Sequence, residues 1–233
     1  MKLGIIPARG GSKRIPRKNV KVFAGRPMIA WSIAAAKGAG IFDRIIVTTD
    51  DEEVARIAAE EGAEAPFLRP AALADDHTPT VPVIAHAMSW VEENWGAVDA
   101  ACCLYATAPF VSSDDIKAGY ELLKSSGSDY AFPVTSFPFP VQRAATITPT
   151  GRLAMLSPEH ALTRSQDLEE AYHDVGQFYW GTKHAWLASK TIIGPGAAPL
   201  IIPRHRAQDI DTPEDWERAE IMFTVLAEQR TSN

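Results

Sequence analysis

Two short Ile- and Val-rich runs, KLGIIPA (2–8) and RIIVTTDD (44–51), enclose a stretch patterned as a helix, and this grouping restricts the fold more than any other feature. Both runs are apolar along their length rather than alternating, which is the pattern of strands buried on both faces of a parallel sheet. Between them, PMIAWSIAAAKGAG has Pro27 placed for a first helical turn, apolar residues at helical spacing, and Gly38 and Gly40 to stop it. The three segments read as a βαβ unit. The alternation continues with helices over DEEVARIAAEEG, whose acids crowd the first turn, and PVIAHAMSWVEENW, then the strand DAACCLYA. A helix near SSDDIKAGYELLKSS and the strand DYAFPVTS follow. The expected fold is α/β, a doubly wound, mostly parallel sheet whose ligands gather at the carboxyl ends of the strands.

The stretch 137–172 breaks that rhythm, with prolines at 138, 140, 149 and 158 and no sustained apolar stripe. It reads as strands and loops projecting from the sheet, an arm that serves as a dimer contact or as a lid over the site. After it, GQFYWGTK and PLIIPRH read as strands, and TPEDWERAEIMFTVLAEQ as a terminal helix with Thr212 and Asp215 placed for a capping box. Residues 1–233 are expected to form one domain, since 46% hydrophobic and 22% charged residues suit a single sizeable core. No apolar run approaches the roughly 20 residues of a membrane span, so a cytoplasmic location is expected. Cys102 and Cys103 are adjacent and point to opposite faces of a strand, the arrangement of reduced core thiols.

The net charge is -6, which disfavours nucleic acid and anionic membranes as partners of the bulk field. Against that background Arg9, Lys13, Arg14, Arg17, Lys18, Lys21 and Arg26 occur with no acid among them, directly after the first strand. The run is either a solvated loop or a pocket for a small polyanion. Gly10 and Gly11 favour the pocket, because adjacent glycines let backbone amides approach phosphate oxygens closely. Neither the GxxxxGK[ST] nor the GxGxxG spacing is present. Near the other end, an extended AQDIDTPEDW would place Asp209 and Asp211 on one side, able to share a hard cation such as magnesium; alternatively, Asp211 only stabilises the last helix. The six histidines show no zinc spacing.

With those two segments in place, the sequence resembles the cytidylyltransferases that activate acidic sugars, the CMP-sialic acid and CMP-Kdo synthetases, over nearly its whole length. The loop from Ala8 and Gly10 onward matches ARxGSK…KN at Arg9, Gly11, Ser12, Lys13, Lys18 and Asn19. RPAALADDHT matches RPxxLAxDxT at Arg69, Asp76 and Thr78, with Thr80 just beyond, and DIDTPED matches DIDxxxD. The resemblance implies a nucleotidyltransferase, Rossmann-like fold and a homodimer. It also implies that Ala8, Arg9, Gly10, Gly11, Ser12, Lys13, Lys18, Asn19, Arg69, Asp76 and Thr80 bind CTP, with Asp209 and Asp211 holding Mg2+ and Arg9, Lys18 and Asp211 catalytic. Where sialic acid members carry LQPTSPLR this chain has LYATAPFV, so Tyr105 and Val111 replace a glutamine and an arginine and imply a less polar sugar. Together with RSQDLEEAYHDVGQFYWG (164–181), this looks most like the pseudaminic acid cytidylyltransferases, with sialic acid and Kdo as alternative substrates. Tyr105, Arg164, Gln177 and Tyr179 are the candidate sugar contacts. A rival from another class, a non-catalytic nucleotide-sugar binding module, would be expected to lack a carboxylate or the loop lysines, and this chain has both.

Overall fold

In a computed structural model that describes residues 1–231, the apolar runs become strands and the patterned segments helices. β1 (Lys2–Pro7) leads through a long loop and a small hairpin, β2 (Val22–Phe23) and β3 (Arg26–Pro27), into α1 (Met28–Ala39), β4 (Arg44–Thr48) and α2 (Glu52–Glu60). Next come α3 (Thr80–Asn94), β5 (Ala100–Leu104), α4 (Ser113–Ser126) and β6 (Tyr130–Ser136). The hairpin β7 (Ala145–Ile147) and β8 (Leu153–Met155) precedes β9 (Tyr172–Asp174), β10 (Phe178–Thr182), α5 (Lys183–Leu187), β11 (Ala197–Ile201) and α6 (Pro213–Thr231).

Local chemistry sets the ends of these helices. Asp51 caps α2 by accepting from Val54 N at 3.0 Å, and Ser112 caps α4 by accepting from Asp115 N at 3.1 Å. α1 stops at Gly40, whose φ of 64° is left-handed and suits only glycine comfortably. α3 starts at Thr80, ahead of Pro82, because a proline within the first turn blocks no hydrogen bond. The strand expected over PLIIPRH lies earlier, since Pro203 ends it and Arg204–Arg206 turn as a 3-10 helix.

The main sheet has the order β11-β6-β10-β5-β1-β4, with β9 added beside β6. β4, β1, β5, β6 and β11 share one direction, while β10 runs antiparallel to both β5 and β6. Successive residues on each strand enter different cores. Ile6, Val47, Cys102, Phe178 and Trp180 pack under α1, α2 and α4, whereas Leu3, Ile5, Ile46, Cys103 and Tyr179 pack under α3 and α5. Both cysteines are free and fully buried. A third core joins α6 to the β2–β3 hairpin and α1 through Phe23, Met28, Phe110, Ile210, Trp216 and Ala219.

Between β6 and β9 the sheet rhythm stops, where the prolines cluster. β7 and β8 pair with each other rather than with the main sheet. Large apolar side chains there face solvent: Phe139 is 80% exposed, Leu153 79% and Leu162 97%.

Candidate active site

The loop after β1 is held by its own chain before any ligand is considered. Ala8 N donates to Thr48 O at 3.0 Å, Gly10 N to Asp50 Oδ1 at 3.0 Å, and Asn19 Nδ2 reaches back to Arg9 O at 2.8 Å. A Cβ on Gly10 would lie 2.4 Å from Asp51 Oδ2, so the glycine is required by the capping carboxylate behind it. Arg17, at a left-handed φ of 56°, pairs with the same Asp51 and with Glu53. This pairing holds the Asp51 carboxyl below the usual carboxylate range, the Arg17 hydrogen bond being the main cause.

The basic run thus divides by task. Arg17 anchors the loop, Arg26 pairs with Glu61 at 2.6 Å, and Lys21 lies over the Trp216 ring at 4.4 Å. Arg9, Lys13, Arg14 and Lys18 instead line a cavity of about 440 Å³, with Ser12, Asn19, Arg69, Asp76, Thr78, Thr80 and Tyr105 on its other walls. Asp76 faces the loop and accepts from both Lys13 and Arg9, which together drive its pKa down to about 2. Arg69 is 7% exposed; its guanidinium donates to Thr48 and, at 3.4 Å, to Leu73 O. Burial pulls its pKa down, so its charge lies in a poorly hydrated wall.

The acidic pair arrives from the far end of the chain. Lys18 Nζ donates to Ile210 O at 2.7 Å and to Asp211 Oδ1 at 3.2 Å, and Arg14 Nη2 lies 2.9 Å from Asp211 Oδ2. The reach is fixed by the start of α6, where Thr212 and Asp215 form the reciprocal capping box, N to Oδ2 at 2.9 Å and N to Oγ1 at 3.2 Å. Asp215 Oδ2 also accepts from Asp211 N at 3.2 Å. The carboxyl of Asp209 is pushed up, first by the surrounding chain displacing water and then by the charge of Asp211. Two like-charged oxygen donors at this spacing form a pair that a hard divalent cation would relieve. Among the described residues there is no group of three or more His, Cys, Asp or Glu side chains able to hold a metal. Any cation here would complete its shell with water or phosphate oxygens.

The candidate sugar contacts separate. Tyr105 reaches the cavity, and its hydroxyl lies 3.1 Å from Thr80 Oγ1. Gln177 and Tyr179 are buried behind that wall, 1% and 3% exposed. Gln177 Nε2 donates to Arg206 O at 2.6 Å, while its Oε1 has no hydrogen-bond partner among the described residues. Phe178 and Tyr179 both turn out to be buried, each in a different core. Arg164 does not come to the cavity: it is exposed, and its Nε and Nη2 engage Asp167, at 2.6 and 3.1 Å. Ala8, Gly10 and Gly11 shape the loop without lining the cavity. Arg14 was missed as a site residue because no motif position marks it, although its place in the basic run was a signal.

Comparisons with known proteins identify the family. The family model for cytidylyltransferases matches residues 3–195. The chain is 43% identical over 223 residues to the pseudaminic acid cytidylyltransferase of Campylobacter jejuni subsp. jejuni serotype O:2, covering 96% of each. It is 30% identical to the CMP-N,N'-diacetyllegionaminic acid synthase of Legionella pneumophila, covering 97% of each. Among solved structures, a CMP:2-keto-3-deoxy-manno-octonic acid synthetase complexed with CTP superimposes with a TM-score of 0.69 at 17% identity, over 98% of this chain and 99% of that one. With a family model matching residues 3–195 and a relative 43% identical over 96% of the chain, the chain belongs to the cytidylyltransferase family.

Proposed function

We propose that the chain transfers CMP from CTP to the anomeric hydroxyl of pseudaminic acid, a nine-carbon acidic sugar, with release of pyrophosphate. One observation carries the reading: Lys18, on the wall of the cavity, pairs with Asp211, a carboxylate 193 residues away that lies behind the lining cations. The choice of sugar rests on the 43% identity to the Campylobacter enzyme. It is supported by Tyr105 on the cavity wall, at a position where a polar group would serve a more hydroxylated acid, whereas Val111 lies in the core and does not line that cavity.

In this reaction the anomeric oxygen forms a bond to the α-phosphorus, the α–β phosphoanhydride bond breaks, and the hydroxyl proton is released. The protein contributes mainly positioning and charge neutralisation. Arg9, Lys13, Arg14 and Lys18 receive the triphosphate, which competes with Asp76 and Asp211 for the same cations. Lys18, tied to Ile210 O, stays in place while its charge offsets the leaving pyrophosphate. Asp209 and Asp211 would hold Mg2+, which would supply Lewis-acid polarisation of the phosphate. Gln177, buried behind the cavity wall with its Oε1 unpartnered among the described residues, acts on the sugar at most through the wall rather than by touching it. The exposed apolar surface of 137–172 supports an arm that pairs two copies into a homodimer. Use of CTP fits the cytoplasm, and among the described residues no helix is long and apolar enough to cross a membrane.

The test offers each nucleoside triphosphate with pseudaminic acid, sialic acid or Kdo, with magnesium or a chelator, and measures pyrophosphate release. Turnover confined to CTP, pseudaminic acid and magnesium is the expected result. Preference for another acid would reassign the sugar, and no turnover in any combination would leave a binding module.

A further inference from the structure

Asp209 and Asp211 sit on a piece of chain with no regular structure of its own: residues 207–211 belong to neither helix nor strand. Downstream the piece is held by Ile210, fully buried in the third core, and by Asp215 of the capping box, which accepts from Asp211 N. Upstream it is held at Arg206, the last residue of the turn Arg204–Arg206, and there the means are polar. Both Nη1 and Nη2 of Arg206 donate to the carboxylate of Asp115 in the first turn of α4, Nη2 at 3.3 Å, and Nη1 also meets Ser112 Oγ at 3.4 Å. From another side Gln177 Nε2 donates to the Arg206 carbonyl at 2.6 Å. Gln177 lies just before β10, and its own carbonyl accepts from Tyr105 N at 2.9 Å, so the grip is continuous with the sheet.

Stability alone does not call for these contacts. α4 is already capped by Ser112 and packed through Ile116 and Leu123. The side chains of Arg206 and Asp115 are only 19% and 15% exposed, and an ion pair so enclosed is often no more stabilising than apolar groups of the same volume, because desolvation offsets its attraction. Gln177 keeps one buried amide oxygen without a partner among the described residues, which costs stability. What the contacts supply is direction, since a guanidinium fork on a carboxylate fixes orientation as well as place. The residue so fixed stands three before Asp209, a reach of at most about 10 Å of chain.

We propose that Arg206 is a positioning residue for the divalent cation: clamped by Asp115 and Gln177, it sets where Asp209 presents its carboxylate beside Asp211. Arg206, Asp115 and Gln177 do not line the 440 Å³ cavity, so they act through the chain. This rests on the assignment of Asp209 and Asp211 to a metal under the proposed function.

Three variants of the full chain test it. Arg206→Lys keeps the charge and loses the fork. Gln177→Met keeps the bulk and loses the amide. Lys183→Met is the control, because it breaks a partly buried ion pair elsewhere, Lys183 with Glu92 at 2.6 Å, between α5 and α3. Water-proton relaxation follows the ternary complex of protein, Mn2+ and CTP without sugar, and CTP binding is measured separately in a chelator. For Arg206→Lys and Gln177→Met the Mn2+ dissociation constant is expected to rise roughly tenfold or more, with metal-free CTP binding within about twofold of wild type. The magnesium concentration for half-maximal turnover should rise in step, and Lys183→Met should bind Mn2+ as wild type does. Unchanged Mn2+ affinity in Arg206→Lys overturns the proposal. So does an equal loss in Lys183→Met, which would make the effect one of general stability. If Gln177→Met does not fold, Arg206→Lys decides the matter. A wild type that forms no ternary complex with Mn2+ would instead remove the metal role of Asp209 and Asp211, and this inference with it.

Discussion

Gly10 and Gly11 are neighbours of the same type in the same loop, yet the structure asks different things of them. A Cβ at Gly10 would meet Asp51 at 2.4 Å, whereas at Gly11 nothing lies within 4 Å. Asp51 already caps α2 and holds Arg17, so a side chain at Gly10 must break the cap or shift the loop. Gly10→Ala should therefore cost about 1 to 2 kcal/mol of stability, the value of a lost N-cap, and raise KM for CTP. Gly11→Ala should leave stability within about 0.5 kcal/mol of wild type. Urea unfolding of the two variants beside wild type checks the contrast, and equal losses would show that Asp51 is not the constraint. The distinction was invisible in the sequence, since the space around Gly10 belongs to Asp51, far along the chain.

At the scale of elements, α6 matters more for where it holds its first turn than for its length. Trp216 is 4% exposed and meets Phe23 edge-on at 5.4 Å, while Phe223 meets both Phe23 and Trp31. These rings fasten α6 to the hairpin that follows the basic loop, and that attachment holds Asp211 against Lys18. Trp216→Ala should destabilise the protein by about 3–5 kcal/mol. It should also raise the magnesium concentration needed for half-maximal turnover, and Trp216→Phe should recover most of both. Thermal unfolding and a magnesium titration check this; an unchanged metal requirement in a folded Trp216→Ala variant would disconnect the helix from the site. The capping box of α6 could be read from TPED, because caps are local. Its docking partners could not, because Phe23 and Trp216 are 193 positions apart and look like ordinary apolar residues.

At the scale of the whole molecule, the direction of β10 and the exposed face of 137–172 stand out. GQFYWGTK reads as a strand, but its insertion antiparallel between β5 and β6 follows from the chain returning through β9, a long-range consequence that periodicity cannot carry. The exposed Phe139, Leu153 and Leu162 lead to a test of the proposed homodimer. Phe139→Asp combined with Leu162→Asp should shift the protein from dimer to monomer in sedimentation while leaving it folded. A wild type that sediments as a monomer at micromolar concentration would remove the dimer.

By itself the sequence determined the βαβ alternation, the capping box of α6, the basic glycine loop and the acidic pair, because each depends on residues within a turn or two of one another. Tertiary structure alone decided which cations face the cavity and which brace the loop, since that depends on where Asp51, Asp76 and Asp211 arrive. It also decided that Arg164 stays on the surface with Asp167. Charge and hydrogen bonding act over a few ångströms of space, and separation along the chain does not measure that distance.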